Sequence, residues 1–307
     1  MLWKHRDTSH SENYVDTVSS ADPRFDYVAL FNADDTLKLE AWAGVNRSGF
    51  AVMNTVAGNL PRNSARWKDR EGFLMSRALQ CCVTVDDFRH LLDTLPRPLG
   101  VRANFGVLDM YGHGAYFETD DNGYEIFWLH DTENDLLVRS NYAVSGSLSG
   151  GYGYERYRNA CAMLVPSCEG EGVTPQLLTD FLSREYYNSA SDSVYSTMKR
   201  VKIPDKDFIP RPTSASSVVI ELRDGKPVMW CMLGYPPASY VLPATVDSVS
   251  DELRRDPSIG TSRMSAYANS LKNKMIRNGK ILMPAAKEIA DEARLKSIEN
   301  YEAYEKK

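Results

Sequence analysis

The sequence predicts an α+β domain built in layers, with antiparallel sheets rather than a parallel doubly wound one. Three observations predict it. Residues 102–129, RANFGVLDMYGHGAYFETDDNGYEIFWL, read as a three-strand meander with turns at Tyr111-Gly112 and at Asp121-Asn122-Gly123, where glycine tolerates a positive φ. A second antiparallel pair, SSVVIEL and PVMWCMLGY, is joined by the hairpin turn Arg223-Asp224-Gly225-Lys226. Helical patterns come in blocks and do not alternate with single strands.

Taken in order, the first 22 residues are polar and start abruptly with MLWKHRDTSHSENY. Strand-like runs follow at Phe25–Phe31, Leu37–Trp42 and Phe50–Thr55, separated by turns bearing Asn, Asp and Gly. Residues 70–80 predict a helix with Phe73, Leu74, Arg77 and Ala78 on one side. A second helix starts at Thr84, whose hydroxyl caps while Asp87 answers from three residues on, and Phe88, Leu91 and Leu92 form its apolar face. Beyond the meander, Leu136–Tyr142 reads as a strand leading into the glycine-rich loop SGSLSGGYGY. A helix is expected from Glu155 to Leu164, and Thr174-Pro175 opens another, with Pro in the first turn where no amide hydrogen is needed. Two helices close the chain, at about 263–278 and from 283 on, the last with a thin apolar stripe of Ile289, Ala293 and Leu295. No repeat, low-complexity tract or interdomain linker interrupts these patterns. One domain over residues 1–307, with a helical C-terminal extension from about 263, is the expected organisation.

Composition removes several function classes. The 307 residues are 43% apolar and 25% charged, ordinary for a globular chain with a sizeable core. Lys plus Arg number 36 against 41 Asp plus Glu, a net charge of −5, which lacks the basic footprint of a nucleic-acid partner. No apolar run is long enough for a membrane span, and no secretory signal opens the chain. Cys81, Cys82, Cys161, Cys168 and Cys231 form no CxxC pair, and His5, His10, His90, His113 and His130 show no metal-ligand spacing. Neither a metal nor any other cofactor is expected. There is also no P-loop, no GxGxxG after a strand and no GxSxG elbow.

The remaining candidates for chemistry are individually weak. Lys4, His5, Arg6 and Asp7 crowd four ionisable residues together, which reads most simply as a solvated terminus. Asn54 and Asn141 sit at predicted strand ends, where asparagine usually serves a turn; oxyanion stabilisation is the sharper reading. Arg156 and Arg158 begin a helix, a poor match to its dipole that hints at a carboxylate partner. Cys81 and Cys82 lie at the C-terminal end of a helix, where the dipole disfavours a thiolate, and read as packing. Cys161 and Cys231 read as core. Tyr111, Tyr116, Tyr124, Trp128, Tyr142, Tyr152 and Tyr154 supply aromatics for the core and for the walls of an amphipathic pocket.

In order along the chain, LWKHRDT, GVNRSGFAVMNT, ANFGVLDMYGHGAYFET, LVRSNYAVSG, YERYRNA and VMWCMLGYPPASYVLP resemble the choloylglycine hydrolase and penicillin acyltransferase-like Ntn hydrolases, from Leu2 to about Pro243. The resemblance implies a four-layer αββα sandwich of two antiparallel sheets. It also implies hydrolysis or transfer at linear amide C–N bonds by a cysteine exposed as the mature N-terminus, through autoproteolysis or methionine removal. Bile salts, N-acyl amino acids, N-acylethanolamines and penicillin side chains all fit such a site as small-molecule substrates. A free α-amino group titrates near pH 8, so it can take the thiol proton without a separate histidine. Asp7 resembles the aspartate that bonds the nucleophile and its amino group, Asn54 the residue whose backbone amide forms half of the oxyanion hole, and Asn141 the side-chain half. Arg156 resembles the arginine that supports nucleophile and aspartate. Lys4 stands where bile-salt-hydrolase-like members carry an arginine, and Arg6 is the alternative source of that charge.

The first cysteine of the chain is Cys81. The nucleophile is therefore expected upstream of Met1, which is then an internal methionine of a longer chain, and the chain as given is expected to be inactive. The alternative is a degenerate copy that binds an N-acyl amide without turnover. Localisation is not fixed, since an export signal would precede the missing cysteine, and the resemblance leaves homo-oligomerisation open.

Overall fold

A computed structural model describes residues 1–61, 69–147, 152–170, 172–194, 200–202, 208–223 and 225–306. Its principal elements are β1 (Leu2–Asp7), β2 (Asn13–Val18), β3 (Tyr27–Asn32), β4 (Ala43–Asn46), β5 (Ala51–Val56), α1 (Glu71–Leu79), α2 (Val85–Thr94), β6 (Ala103–Leu108), β7 (Gly114–Thr119) and β8 (Tyr124–Trp128). They continue with α3 (Tyr154–Glu169), β9 (Ser214–Arg223), β10 (Lys226–Leu233), β11 (Leu242–Ala244), α4 (Arg263–Met275) and α5 (Met283–Glu305).

Two antiparallel sheets result. Seven strands run in the order β2-β3-β4-β5-β6-β7-β8, each paired with its neighbour in sequence, and four run in the order β1-β9-β10-β11. Strand alternation gives the large sheet two apolar faces. Phe50, Val52, Phe105 and Phe117 point outward and pack on Leu74, Met75 and Ala78 of α1 and on Phe88 and Leu92 of α2. Ala51, Met53, Leu108 and Tyr116 point inward, onto Val218, Ile220, Met229 and Cys231 of the small sheet. The small sheet's other face, with Val219 and Trp230, is covered by Ala160 and Leu164 of α3, by the π-helical turn Leu177–Leu182, and by Tyr301 of α5, whose ring lies 4.4 Å from that of Trp230. Helix, sheet, sheet, helix: the fold is an α+β αββα sandwich.

Local chemistry explains why the elements begin and end where they do. Thr84 and Asp87 form the expected reciprocal capping box at the start of α2. Asp120 accepts from the amides of Asn122 and Gly123, closing the β7–β8 turn. Asp224 of the expected β9–β10 turn and residues 148–151 of the glycine-rich loop lie outside the described residues, while Arg223 pairs with Lys226 across the hairpin.

Several expectations are corrected. The polar N-terminus is not a solvated tail but two strands, β1 and β2, in which Lys4, Arg6 and Asn13 are buried. Leu37–Trp42 is not a strand. Lys38 takes a φ of 56°, and the Asp35 carboxylate accepts from the amides of Leu39 and Glu40, turning the chain until β4 begins at Ala43. Leu136–Tyr142 is irregular as well. Along α5, Leu295 is 64% exposed, and the buried positions are Met283, Ala286, Ala293, Ser297 and Tyr301.

Candidate active site

The seven-stranded sheet is wider than the four-stranded one that faces it, and the small sheet stops at the edge strand β1. Past that edge, the inner faces of β5, β6 and β7 look onto a cavity of about 480 Å³, roofed by the segment 134–141 and by α3. Its floor is apolar, with Met53, Leu108 and Tyr116, and Gly106 keeps it low: a Cβ there would lie 3.0 Å from the Met53 methyl. Its polar end gathers Asp7, Asn54, Asn141 and Arg156, residues far apart in sequence, together with Lys4 and His5. A second cavity, of about 530 Å³, is lined by Arg6, Asn32, Asp34 and Trp42 and shares Lys4, His5, Asp7, Asn54, Thr55 and Asn141 with the first.

β1 delivers Asp7 through an irregularity. Arg6 pairs with Ser216 but Asp7 with Ser214, a bulge that re-aims the carboxylate. Asp7 accepts from the Ser214 hydroxyl at 2.6 Å and from Arg211 Nε at 2.7 Å, two charge-assisted bonds that fix its orientation. Because the Ser214 proton is committed to Asp7, His5 must donate through Nε2 to Ser214 Oγ at 2.9 Å. Burial, with Arg211 and Arg156 nearby, pushes the His5 imidazole down to about 4, against the pull of Asp7, and keeps it neutral.

Lys4 faces Asn54. Its Nζ donates to Asn54 Oδ1 at 2.6 Å and to the Trp42 carbonyl at 2.7 Å. Burial, and secondarily the Arg6 charge, drive its ammonium well below the ordinary lysine value. Arg6 lies with its guanidinium 4.7 Å from the Trp42 ring centroid and donates to Asn13 Oδ1 and Asn32 Oδ1. Asn54 itself lies one residue beyond the pairing of β5 with β4, which ends at Ala43 opposite Met53. Asn141 accepts at Oδ1 from Arg156 at 2.7 Å. Its Nδ2 donates to the Val56 carbonyl at 3.0 Å and to Thr55 Oγ1 at 3.2 Å. Arg156 therefore meets the asparagine amide, a partner that its mismatch with the helix dipole did not suggest.

Sequence reasoning singled out Asp7, Asn54, Asn141 and Arg156, and the structure brings all four to one cavity. It missed Arg211 and Ser214, which hold Asp7, and gave Lys4 and His5 no settled role. Arg211 lies in a loop before β9 with no pattern around it, so only the fold reveals it. Of the cysteines, Cys168 alone lines the cavity, beside Leu164 and Val173, and burial pushes its thiol up. Cys82 and Cys231 are buried as expected. Cys81 is half-buried with Sγ 4.0 Å from that of Cys82, and this contact draws its thiol down to about 7, against the dipole argument. Among the described residues, no group of three or more His, Cys, Asp and Glu side chains could hold a metal ion, and no helix is long and apolar enough to cross a membrane.

No family model matches the chain, and no curated protein matches it. Solved structures similar to it include penicillin V acylase from Agrobacterium tumefaciens, 11% identical over 80% of this chain and 82% of that one, with a TM-score of 0.47. A mutant of conjugated bile acid hydrolase from Clostridium perfringens is 8% identical over 81% and 89%, with a TM-score of 0.44. The Caenorhabditis elegans ortholog of N-acylethanolamine-hydrolyzing acid amidase is 12% identical over 78% and 94%, with a TM-score of 0.39.

Proposed function

We propose that the protein hydrolyses linear amide C–N bonds of N-acyl substrates, with an N-terminal cysteine preceding Leu2 as nucleophile. The observation that carries this reading is the convergence of Asp7, Asn54, Asn141 and Arg156, from four separate parts of the chain, on one cavity with an apolar floor. The cavity follows the open edge of β1, where a preceding strand would bring its first residue beside Asp7.

In this reading the cysteine's own α-amino group takes the thiol proton, and the thiolate attacks the amide carbonyl. Asp7, held by Ser214 and Arg211, orients that amino group. The tetrahedral oxyanion is received by the Asn54 backbone amide and by Asn141 Nδ2, which exchanges its longer bond, to Thr55 Oγ1, for the oxyanion. Collapse breaks the C–N bond, the ammonium protonates the leaving amine, and water then hydrolyses the thioester. The Arg156 guanidinium withdraws electron density through Asn141 Oδ1 and makes Nδ2 a stronger donor. The apolar floor suits the acyl group, and the shared polar rim suits the amine.

One observation favours a second reading, in which the cavity binds an N-acyl amide without turnover: none of the five cysteines lies at the polar end of the cavity. The chain carrying its upstream coding segment, processed to an N-terminal cysteine, separates the two. Release of amine from a panel of N-acyl amides, abolished by Asp7→Asn, supports the hydrolase. Saturable binding of the same amides with no amine released supports the binder.

A further inference from the structure

Asn141 does not sit on a helix or strand. It belongs to the irregular segment 139–147, yet a side chain that stabilises an oxyanion must be held to a fraction of an ångström. The structure shows what holds it. Thr55, Asn104 and Glu118 stand side by side on the inner face of β5, β6 and β7, in direct register. This polar row grips the segment. Asn104 Nδ2 donates to the carbonyls on either side of Asn141, those of Ser140 at 3.0 Å and Tyr142 at 3.1 Å. Glu118, fully buried, accepts from the amides of Val144 at 2.9 Å and Ser145 at 2.7 Å, and from the Ser145 hydroxyl. It also pairs with Arg139, whose guanidinium lies over the Tyr116 and Phe127 rings. From the loop after β5, Asn59 closes both hydrogen bonds of Ala143, accepting from its amide and donating to its carbonyl at 2.7 Å each. Gly146 permits this approach, since a Cβ there would lie 2.4 Å from Asn59 Nδ2.

We propose that Asn104, Glu118 and Asn59 are positioning residues that fix the Asn141 side chain for amide hydrolysis; the inference rests on the function proposed above. Their buried polar groups substitute for the strand pairing that the segment lacks. Each hydrogen bond acts on the backbone within a few residues of Asn141, so loosening one lets the amide drift from the oxyanion position.

Two measurements test this. In the chain bearing its N-terminal cysteine, Asn104→Ala is expected to lower kcat by at least about ten-fold with KM changed less than about two-fold. The double variant Asn104→Ala/Asn141→Ala is expected to match Asn141→Ala alone, because Asn104 acts through Asn141. A double variant slower than Asn141→Ala by the full Asn104→Ala factor, or an effect confined to KM, overturns the proposal. The second measurement needs no activity: hydrogen exchange in Glu118→Gln, or in Ser145→Ala if Glu118→Gln does not fold. Exchange at Ala143, Val144 and Ser145 is expected to quicken at least about ten-fold while the β6 and β7 amides hold. Unchanged exchange there overturns the hold itself. Faster exchange in a chain that hydrolyses no amide contradicts the proposed function while confirming the hold.

Discussion

Alternate residues of β5, β6 and β7 form two faces, and past the edge of the small sheet, where the inner face turns from apolar to polar, the two are built on opposite principles. On the outer face, Phe50, Phe105 and Phe117 surround Phe88 of α2, with ring centroids 6.1, 5.8 and 5.1 Å away. On the inner face, beyond the edge of the small sheet, Thr55, Asn104 and Glu118 face a loop and a cavity. Apolar contacts are non-directional, so the outer face tolerates small shifts and contributes stability in proportion to area. The inner face works only if each donor meets its acceptor. Stability and chemistry are thus divided between the two sides of one sheet, and variants on either side should separate them.

The largest expected effect is on the outer face. Phe88→Ala removes the centre of the aromatic cluster and should cost about 3–5 kcal/mol in denaturant unfolding, while kcat of the folded fraction stays unchanged. A comparable loss of kcat would show that the two faces are not independent. Across the sheet, Asn141→Ala should lower turnover about 10²- to 10³-fold, since one oxyanion donor is lost, with the unfolding midpoint moved far less than by Phe88→Ala.

A pH scan sharpens the comparison. The folded His5 titrates near 4 and the unfolded one near 6.5, so between these values the unfolded state binds more protons. Stability from this group is therefore full above about pH 6.5 and lost as the pH falls toward 4, by about 2–3 kcal/mol. His5→Asn should flatten the unfolding free energy over that window. An unchanged slope would mean that burial among Trp3 and Ser214, with Arg211 and Arg156 nearby, does not hold His5 neutral against the pull of Asp7. The smallest effects belong to the cysteine pair. Cys82→Ala should cost about 1 kcal/mol and Cys81→Ala less, with activity within about two-fold for both.

The outer face was also the legible one. Its helices announce themselves through the Thr84–Asp87 box and the spacing of Phe88 and Leu92, and its strands through hairpin turns. The inner, polar side was not, because burial there is achieved by hydrogen bonding, which leaves no hydrophobic period. β1 and β2 were missed for this reason: Lys4 and Arg6 are buried against Asn54, Asn13 and Asn32, so a buried strand reads as a polar tail. Leu136–Tyr142 erred in the opposite direction. LLVRSNY has strand composition, but its backbone is satisfied by Asn104, and nothing local signals that. The four site residues were found through motif order rather than through any pattern that places them together, and their holders Arg211, Ser214, Asn104 and Glu118 emerge only from the packing.

The most direct test of the central claim is covalent labelling of the nucleophile. In the chain processed to an N-terminal cysteine, with Cys81→Ala to remove the half-exposed thiol at about 7, inactivation by iodoacetamide is followed alongside peptide mapping. The account predicts that activity falls in step with one label on the cysteine preceding Leu2. Inactivation that tracks a label on Cys82, Cys161, Cys168 or Cys231, or full activity in a chain labelled at its N-terminal cysteine, would contradict it.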